Sequence, residues 1–178
     1  MTMLKIMAYS LAAMLFCSPS LAENGAYQIE LIVFLQAMPN TEVFDQTSSQ
    51  IKWPPDLTEL SAYKKLENTT LDDSYAALAQ DSAYRPILHV AWVQPDGEGE
   101  LNAPVHIQST DGKLDGYLRM QRNQGLQMTA DLELTSDSGD GFSKIVVYRL
   151  NEKRSIRLNE VYYLDHPKFG VIAKISPL

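Results

Sequence analysis

The chain has 178 residues, a formal net charge of −7 and a single cysteine. An acidic chain is repelled by nucleic acid and by anionic lipid, so neither is an expected partner. One cysteine cannot form an internal disulfide, and it cannot supply a multi-thiolate metal site.

The amino-terminal segment has the layout of a cleavable secretory signal peptide. Lys5 supplies a positive start, an apolar run follows, and Ser20-Leu21-Ala22 places small residues three and one positions before the predicted cleavage point. The apolar run is too short to span a bilayer. A bulky residue directly precedes Cys17, which argues against lipid attachment there. We therefore expect residues 1–22 to be removed on export, leaving residues 23–178 with no thiol and no membrane insertion.

The first half of the exported chain is predicted to contain two strands separated by short helices. Alternating apolar residues over Tyr27–Gln36, with apolar residues also on the second face, indicate an interior strand. Residues 37–55 have the composition of an exposed connection. Capping-box patterns at Asp56–Glu59 and at Thr70–Asp73 predict two short helices. A second strand is predicted over Ile87–Gln94.

The last third of the chain has the clearest pattern, a series of alternating runs separated by turn residues. These runs predict strands near 104–109, 114–121, 125–135, 143–150, 154–164 and 169–175. The connections, including Asn151–Lys153 and Asp165–Lys168, have hairpin length, which favours antiparallel neighbours. The predicted fold class is α+β, a single domain consisting mainly of antiparallel β-sheet that ends in a meander, with one or two short helices.

The sequence carries no recognisable catalytic or metal-binding pattern. The three histidines, His89, His106 and His166, lie in separate segments without a second ligand at zinc-site spacing. His89 shares a strand face with apolar residues and is interpreted as a hydrogen-bonded core histidine. No Gly-x-Ser-x-Gly motif is present. We therefore expect a protein that is not an enzyme and that has no cofactor or metal.

Glu160 fits its predicted strand poorly. Strand alternation places it on the same face as Ile156 and Leu164, and a buried carboxylate is costly unless it is paired. Arg154 on that face is a possible partner. Two interpretations remain open. In the first, Glu160 has a structural role, either in an ion pair or as an inward-pointing charge that prevents aggregation at a sheet edge. In the second, its carboxylate faces a ligand.

Three carboxy-terminal stretches form a distinctive pattern, namely Arg154–Arg157, Glu160–Pro167 and Phe169–Ile172. This pattern resembles the signature of the CsiV family of periplasmic peptidoglycan-binding proteins, and Tyr163-Leu-Asp-His-Pro167 with Gly170 is its most specific part. Tyr27–Phe34 and Tyr84–Pro95 look like the same family.

The resemblance implies a periplasmic protein of a Gram-negative cell that binds peptidoglycan and supports cell-wall synthesis and cell shape. It also implies action together with LpoA, the lipoprotein activator of a class A penicillin-binding protein. The candidate ligand contacts are Glu160, Tyr163, Asp165, His166, Tyr84 with its neighbour Arg85, Trp92 and Gln94.

The candidate contacts have alternative explanations that the sequence leaves open. Asp165 and Pro167 are typical turn residues, and Trp92 is equally consistent with a core position. Two other functions are also compatible with the sequence. One is an envelope protein-interaction module without glycan affinity, docking through a strand edge or the loop 37–55. The other is a hydrolase that uses Glu160 or Asp165.

Overall fold

The computed structural model describes residues 25–37, 47–97, 101–122, 124–137 and 145–178. The predicted signal peptide lies outside the described residues, as do residues 38–46 of the predicted connection 37–55.

The described residues form ten strands: β1 (Ala26–Gln36), β2 (Thr58–Glu59), β3 (Lys64–Lys65), β4 (Tyr84–Pro95), β5 (Val105–Gln108), β6 (Leu114–Arg122), β7 (Leu126–Asp137), β8 (Ile145–Ile156), β9 (Val161–His166) and β10 (Phe169–Pro177). A 3₁₀ turn at Leu60–Ala62 and one helix, α1 (Asp72–Gln80), lie between β2 and β4. The first sheet has the strand order β3-β4-β1-β10-β9, and the second has the order β2-β5-β6-β7-β8. The described pairings are antiparallel except for the parallel pair β2–β5.

The two sheets pack against each other through their inner faces. Alternate residues of β1, such as Ile29 and Leu31, join Leu118 and Met128 of the second sheet in one cluster of buried side chains. Each fully buried aliphatic side chain of this kind contributes about 1.5–3 kcal/mol relative to leaving it exposed. The fold is therefore mostly β, built from two sheets rather than the one that the sequence pattern indicated.

Helix α1 covers part of the outer face of the first sheet. Ile32 and Phe34 of β1 are buried there together with Leu71, which directly precedes the helix. This second apolar cluster explains why β1 is apolar on both faces. The prediction of an interior strand is confirmed, because β1 lies between β4 and β10.

A buried carboxylate on β1 holds the start of α1. Glu30 is 1% exposed and accepts hydrogen bonds from the backbone N–H of Thr70 and of Leu71, each at 2.9 Å. The Thr70 hydroxyl also donates to Glu30, and His89 Nε2 lies 3.0 Å from its Oε1. Burial alone would raise the pKa of Glu30, but these hydrogen bonds together lower it below the usual range.

The structure corrects both predicted helix starts. The segment predicted as a helix from Asp56 instead forms β2 and the 3₁₀ turn, because Thr58 and Glu59 pair with Val105 and His106 of β5. The second helix is confirmed but begins at Asp72, and its N-cap residue makes no side-chain capping bond. The carboxylate of Glu30, which lies on β1 of the neighbouring sheet, accepts the backbone hydrogen bonds at the helix start instead.

The predicted turn at Asn151–Lys153 and the predicted strand 154–164 are also wrong. β8 continues through residues 151–153, which pair with β7, and it ends at Ile156. Because β8 is the edge strand of its sheet, polar residues on it stay in contact with water. The chain turns instead at residues 157–160, where Asn159 has φ 66°.

Candidate functional site

An aromatic shelf, formed by Tyr163, Phe34 and Tyr84, lies on the outer face of the first sheet. Tyr163 on β9 is 43% exposed, and its ring stacks with that of Phe34 at a centroid distance of 6.1 Å and an interplanar angle of 14°. Tyr84 meets Phe34 edge-on, with centroids 5.4 Å apart. Tyr163 therefore presents a ring to solvent that buried neighbours hold in place.

Gly170 on β10 makes the stack possible. It pairs with Phe34 on one side and with Asp165 on the other. A Cβ atom at this position would lie 2.5 Å from Phe34 Cζ and 2.8 Å from Tyr163 Cε2, well inside van der Waals contact. Gly170 was part of the sequence pattern, and the structure explains it, because any side chain at this position would clash with the two stacked rings.

Polar groups line the rim of the aromatic shelf. The Tyr163 hydroxyl donates to Asp165 Oδ1 at 2.6 Å, and Gln36 Nε2 donates to the same oxygen at 2.8 Å. Gln36 Nε2 also lies 3.1 Å from Tyr163 Oη and 3.0 Å from the His166 carbonyl oxygen. Burial and the hydrogen bond to Asp165 raise the pKa of Tyr163 to about 12. The hydroxyl therefore keeps its proton at neutral pH and keeps donating to the carboxylate.

The structure brings Tyr163 and Asp165 together and separates them from His166. Strand alternation turns the His166 side chain to the inner face, where its ring centroid lies 5.9 Å from that of Tyr148 and 5.2 Å from that of Phe169. Only the backbone carbonyl of His166 takes part in the rim. Its imidazole is half-buried between the sheets.

Trp92 and Gln94 are part of the core. Both side chains are buried, and Trp92 Nε1 donates to Gln94 Oε1 at 3.1 Å. The Gln94 amide donates to the carbonyl oxygens of Leu101 and Ala103 at 3.2 and 3.3 Å. Gln94 thus satisfies the indole N–H and two loop carbonyls that would otherwise be buried without partners. Neither side chain is accessible to a ligand in this structure.

The expectation that Glu160 points inward is wrong. Glu160 lies in the turn before β9, where its side chain is exposed and does not follow the alternation of the strand. Its Oε2 accepts the Tyr162 hydroxyl at 2.8 Å, and its Oε1 lies 3.6 Å from Arg157 Nη1. The predicted partner, Arg154, pairs with Glu152 instead. An exposed pair of this kind contributes about 0–1 kcal/mol.

Sequence reasoning missed Phe34 and Gln36 as site residues. Gln36 is the last residue of β1 and lies 127 positions from Tyr163 in the chain. Nothing local to either segment indicates this contact, since it depends on the strand order β1-β10-β9. Only a prediction of how β1, β10 and β9 align would have placed Phe34 and Gln36 next to Tyr163.

A separate charged cluster lies on the outer face of the second sheet. His106 Nδ1 lies 3.0 Å from Glu59 Oε2, and its Nε2 lies 2.7 Å from Asp115 Oδ1. The ring of Trp53 packs edge-on against the imidazole of His106, with ring centroids 5.6 Å apart. Burial would lower the pKa of His106, but the hydrogen bonds and charges of Asp115 and Glu59 together raise it.

The raised pKa of His106 predicts pH-dependent stability. Because folding stabilises the protonated imidazole, His106 adds fully to the free energy of unfolding below its unfolded pKa of about 6.5. This contribution is lost as the pH rises through the higher folded pKa. We expect the stability difference between the unmodified protein and His106→Gln to shrink as the pH rises from about 6.5, the unfolded pKa, through the higher folded pKa. Urea unfolding at several pH values measures it. A difference that stays constant or grows with pH would contradict the assignment.

Neither a metal cluster nor a membrane-spanning helix is found among the described residues. No group of three or more His, Cys, Asp or Glu side chains in that part of the chain is arranged to hold a metal ion. Within the same ranges, no helix combines the length and the apolar character that crossing a bilayer requires.

Comparison with known families identifies a family to which most of the chain is similar. Residues 56–178, more than half of the chain, match the family model described as "Peptidoglycan-binding protein, CsiV". The matched region contains β2 through β10, and therefore Tyr84, Tyr163, Asp165 and Gly170 of the aromatic shelf and its rim. No curated protein and no solved structure matched the chain.

Proposed function

The chain belongs to the CsiV family of peptidoglycan-binding proteins, and we propose that it is a non-catalytic periplasmic protein that binds peptidoglycan through the aromatic shelf. The observation that carries the proposal is the exposed Tyr163 ring, fixed against Phe34 and bordered by Gln36 and Asp165. The predicted signal peptide supports the periplasmic location.

The arrangement suits a sugar with amide substituents. The apolar face of a sugar ring packs against an aromatic face, while a carboxylate and an amide at the rim accept or donate hydrogen bonds to hydroxyl and N-acetyl groups. The net charge of −7 opposes general attraction to a polymer that carries peptide carboxylates. Binding therefore depends on local contacts of this kind rather than on overall charge.

The two carboxylates considered for hydrolysis have structural rather than catalytic roles in the proposed complex. Asp165 is held by Tyr163 and Gln36, and Glu160 is held in its turn by Tyr162. A glycosidase needs two carboxyl groups on opposite sides of the scissile bond, one of them acting as a proton donor. Here both carboxylates accept hydrogen bonds from neighbouring side chains. Release of soluble fragments from purified sacculi by the unmodified protein would overturn this part of the proposal.

The finer role follows the family resemblance. We propose that the protein supports cell-wall synthesis and cell shape together with the LpoA activator of a class A penicillin-binding protein. Val161 on the edge strand β9 is 55% exposed, which offers an apolar side chain to a protein partner, while the Tyr163 carbonyl of the same strand accepts a hydrogen bond from Arg154. Binding of purified LpoA by the exported chain tests this role. Affinity for LpoA without any affinity for sacculi would favour the alternative function, a protein-interaction module.

Tyr163→Ala tests the peptidoglycan site. We expect the dissociation constant for isolated sacculi to rise at least about tenfold, or about 1.4 kcal/mol, because the exposed stacking surface is lost. Co-sedimentation of the chain without its predicted signal peptide measures it. Unchanged circular dichroism and a similar melting temperature show that the fold is retained.

Trp53→Ala is the matched control for that measurement. Trp53 is also 43% exposed, but its ring packs with His106 and Tyr117 on the outer face of the other sheet. We expect this variant to sediment with sacculi like the unmodified chain. Equal loss in both variants, or no loss in Tyr163→Ala, would remove the aromatic shelf as the site.

A further inference from the structure

Three surface cavities share the side chain of Arg85 at the start of β4. One of about 350 Å³ is also lined by Gln36 and Tyr84. A second of about 90 Å³ lies between the sheets, where Leu35 faces Leu134, and a third of about 330 Å³ is bordered by Ile87 and Ser109. Arg85 pairs with Leu35, whose side chain packs against the core between the sheets, so Arg85 lies at the end of the sandwich. The cavity of about 350 Å³ connects it, around the end of the first sheet, with Gln36 and Tyr84 on the outer face.

Arg85 is the one arginine of the described chain without an anionic partner. The other five each form an ion pair, namely Arg119, Arg122, Arg149, Arg154 and Arg157. Arg85 is exposed, and within the described ranges it makes neither an ion pair nor a side-chain hydrogen bond. In a chain with 22 acidic against 15 basic residues, a guanidinium that pairs with no carboxylate of the described residues is available for one on a ligand.

The acidic residue that lines two of these cavities forms hydrogen bonds within its own turn. Asp111 lines two of the same cavities, but its Oδ1 accepts the Ser109 hydroxyl at 2.6 Å and the Lys113 N–H at 3.1 Å. These bonds hold Asp111 in its own turn. The pKa of Asp111 is lowered mainly by the hydrogen bond from Ser109.

We propose that Arg85 binds a carboxylate of the peptide that branches from a glycan strand, while the aromatic shelf holds the sugar. This inference rests on the proposed function and names the ligand group that Arg85 recognises. In peptidoglycan the lactyl carboxyl of each peptide-bearing muramic acid is consumed in an amide bond, so the negative charges belong to the peptides. A guanidinium pairs with such a carboxylate through two parallel hydrogen bonds. Gln36 bonds to the rim of the aromatic shelf and also lines the cavity that contains Arg85, so it links the two subsites around the end of the first sheet.

The test compares intact sacculi with sacculi whose carboxyl groups have been converted to amides by a carbodiimide and ammonium. Without a carboxylate contact, amidation would strengthen binding of an acidic protein, because it removes repulsion. We expect the opposite, a loss of at least about tenfold for the unmodified chain. Arg85→Gln should bind intact sacculi about as weakly as the unmodified chain binds amidated ones, and amidation should weaken it no further. Arg85→Lys should recover part of the affinity.

Lys64→Gln is the charge-matched control. It removes one positive charge from an exposed residue on β3, next to Val93 and about 25 Å along β4 from Arg85. We expect its binding to match that of the unmodified chain. Equal binding by Arg85→Gln and the unmodified chain, or a loss shared by Lys64→Gln, overturns the inference while leaving the aromatic shelf intact. Failure of the unmodified chain to bind intact sacculi overturns the proposed function instead.

Discussion

Glu30→Ala is expected to lower the free energy of unfolding by about 3–5 kcal/mol. The substitution removes four hydrogen bonds at once and leaves the N–H groups of Thr70 and Leu71 without their partner. Each buried donor left unsatisfied costs about 1–3 kcal/mol. The start of α1 would keep the apolar contacts of Leu71 with Ile32 and Phe34, and the ring of Tyr75 would still stack on that of His89.

Urea unfolding followed by circular dichroism measures this loss. Glu67→Ala is the control, because Glu67 is exposed in the same connection and makes no hydrogen bond or ion pair within the described structure. Its unfolding free energy should change by less than about 0.5 kcal/mol. If Glu30→Ala proved as stable as Glu67→Ala, the carboxylate would not be what anchors the helix.

Gly116→Ala is expected to cost about 3 kcal/mol or more. Gly116 lies within β6, and a Cβ atom there would sit 2.2 Å from the backbone oxygen of Asp131 and 2.7 Å from Leu132 Cα on β7. Backbone atoms of a central strand cannot move aside as a side chain can. The clash therefore has to separate β6 from β7 or distort both.

Gly125→Ala separates this clash from backbone strain. Gly125 has φ 155°, nearly the same as the 153° of Gly116, but among the described residues other than its two chain neighbours no atom would lie within 4 Å of an added Cβ atom. Strain alone therefore predicts equal losses of about 1–3 kcal/mol in the two variants, whereas the steric argument predicts a clearly larger loss at Gly116 than at Gly125. Equal melting temperatures for Gly116→Ala and Gly125→Ala would refute the steric argument.

The sequence predicted the elements whose pattern is local. β1 and β7 alternate strongly, and their positions follow from side-chain periodicity alone. The end of β8 was misplaced because the polar run at residues 151–153 has the composition of a turn, which an edge strand tolerates. The short β2 was missed because its strand character comes from pairing with β5, and a capping pattern cannot reveal that contact.

Apart from Tyr84, which the family resemblance supplied, the candidate site was predicted only where its residues are close in sequence. Tyr163 and Asp165 belong to one short pattern and were named from it, whereas Phe34, Gln36 and the setting of Arg85 depend on how distant strands align. His166 was grouped with Asp165 because the two are adjacent in sequence. Adjacent residues of a strand point to opposite faces, so the same adjacency separates their side chains.

The position of β9 at the edge of its sheet determines how a long molecule can approach Tyr163. α1 flanks the aromatic shelf on one side, but the sheet ends at β9 on the other, so no further strand of the described chain closes the site there. A polymer lying across Tyr163 would not need a free end to enter. The protein could then bind the middle of a glycan chain as readily as its end. A continuous cross-linked mesh would therefore be a ligand without first being cut.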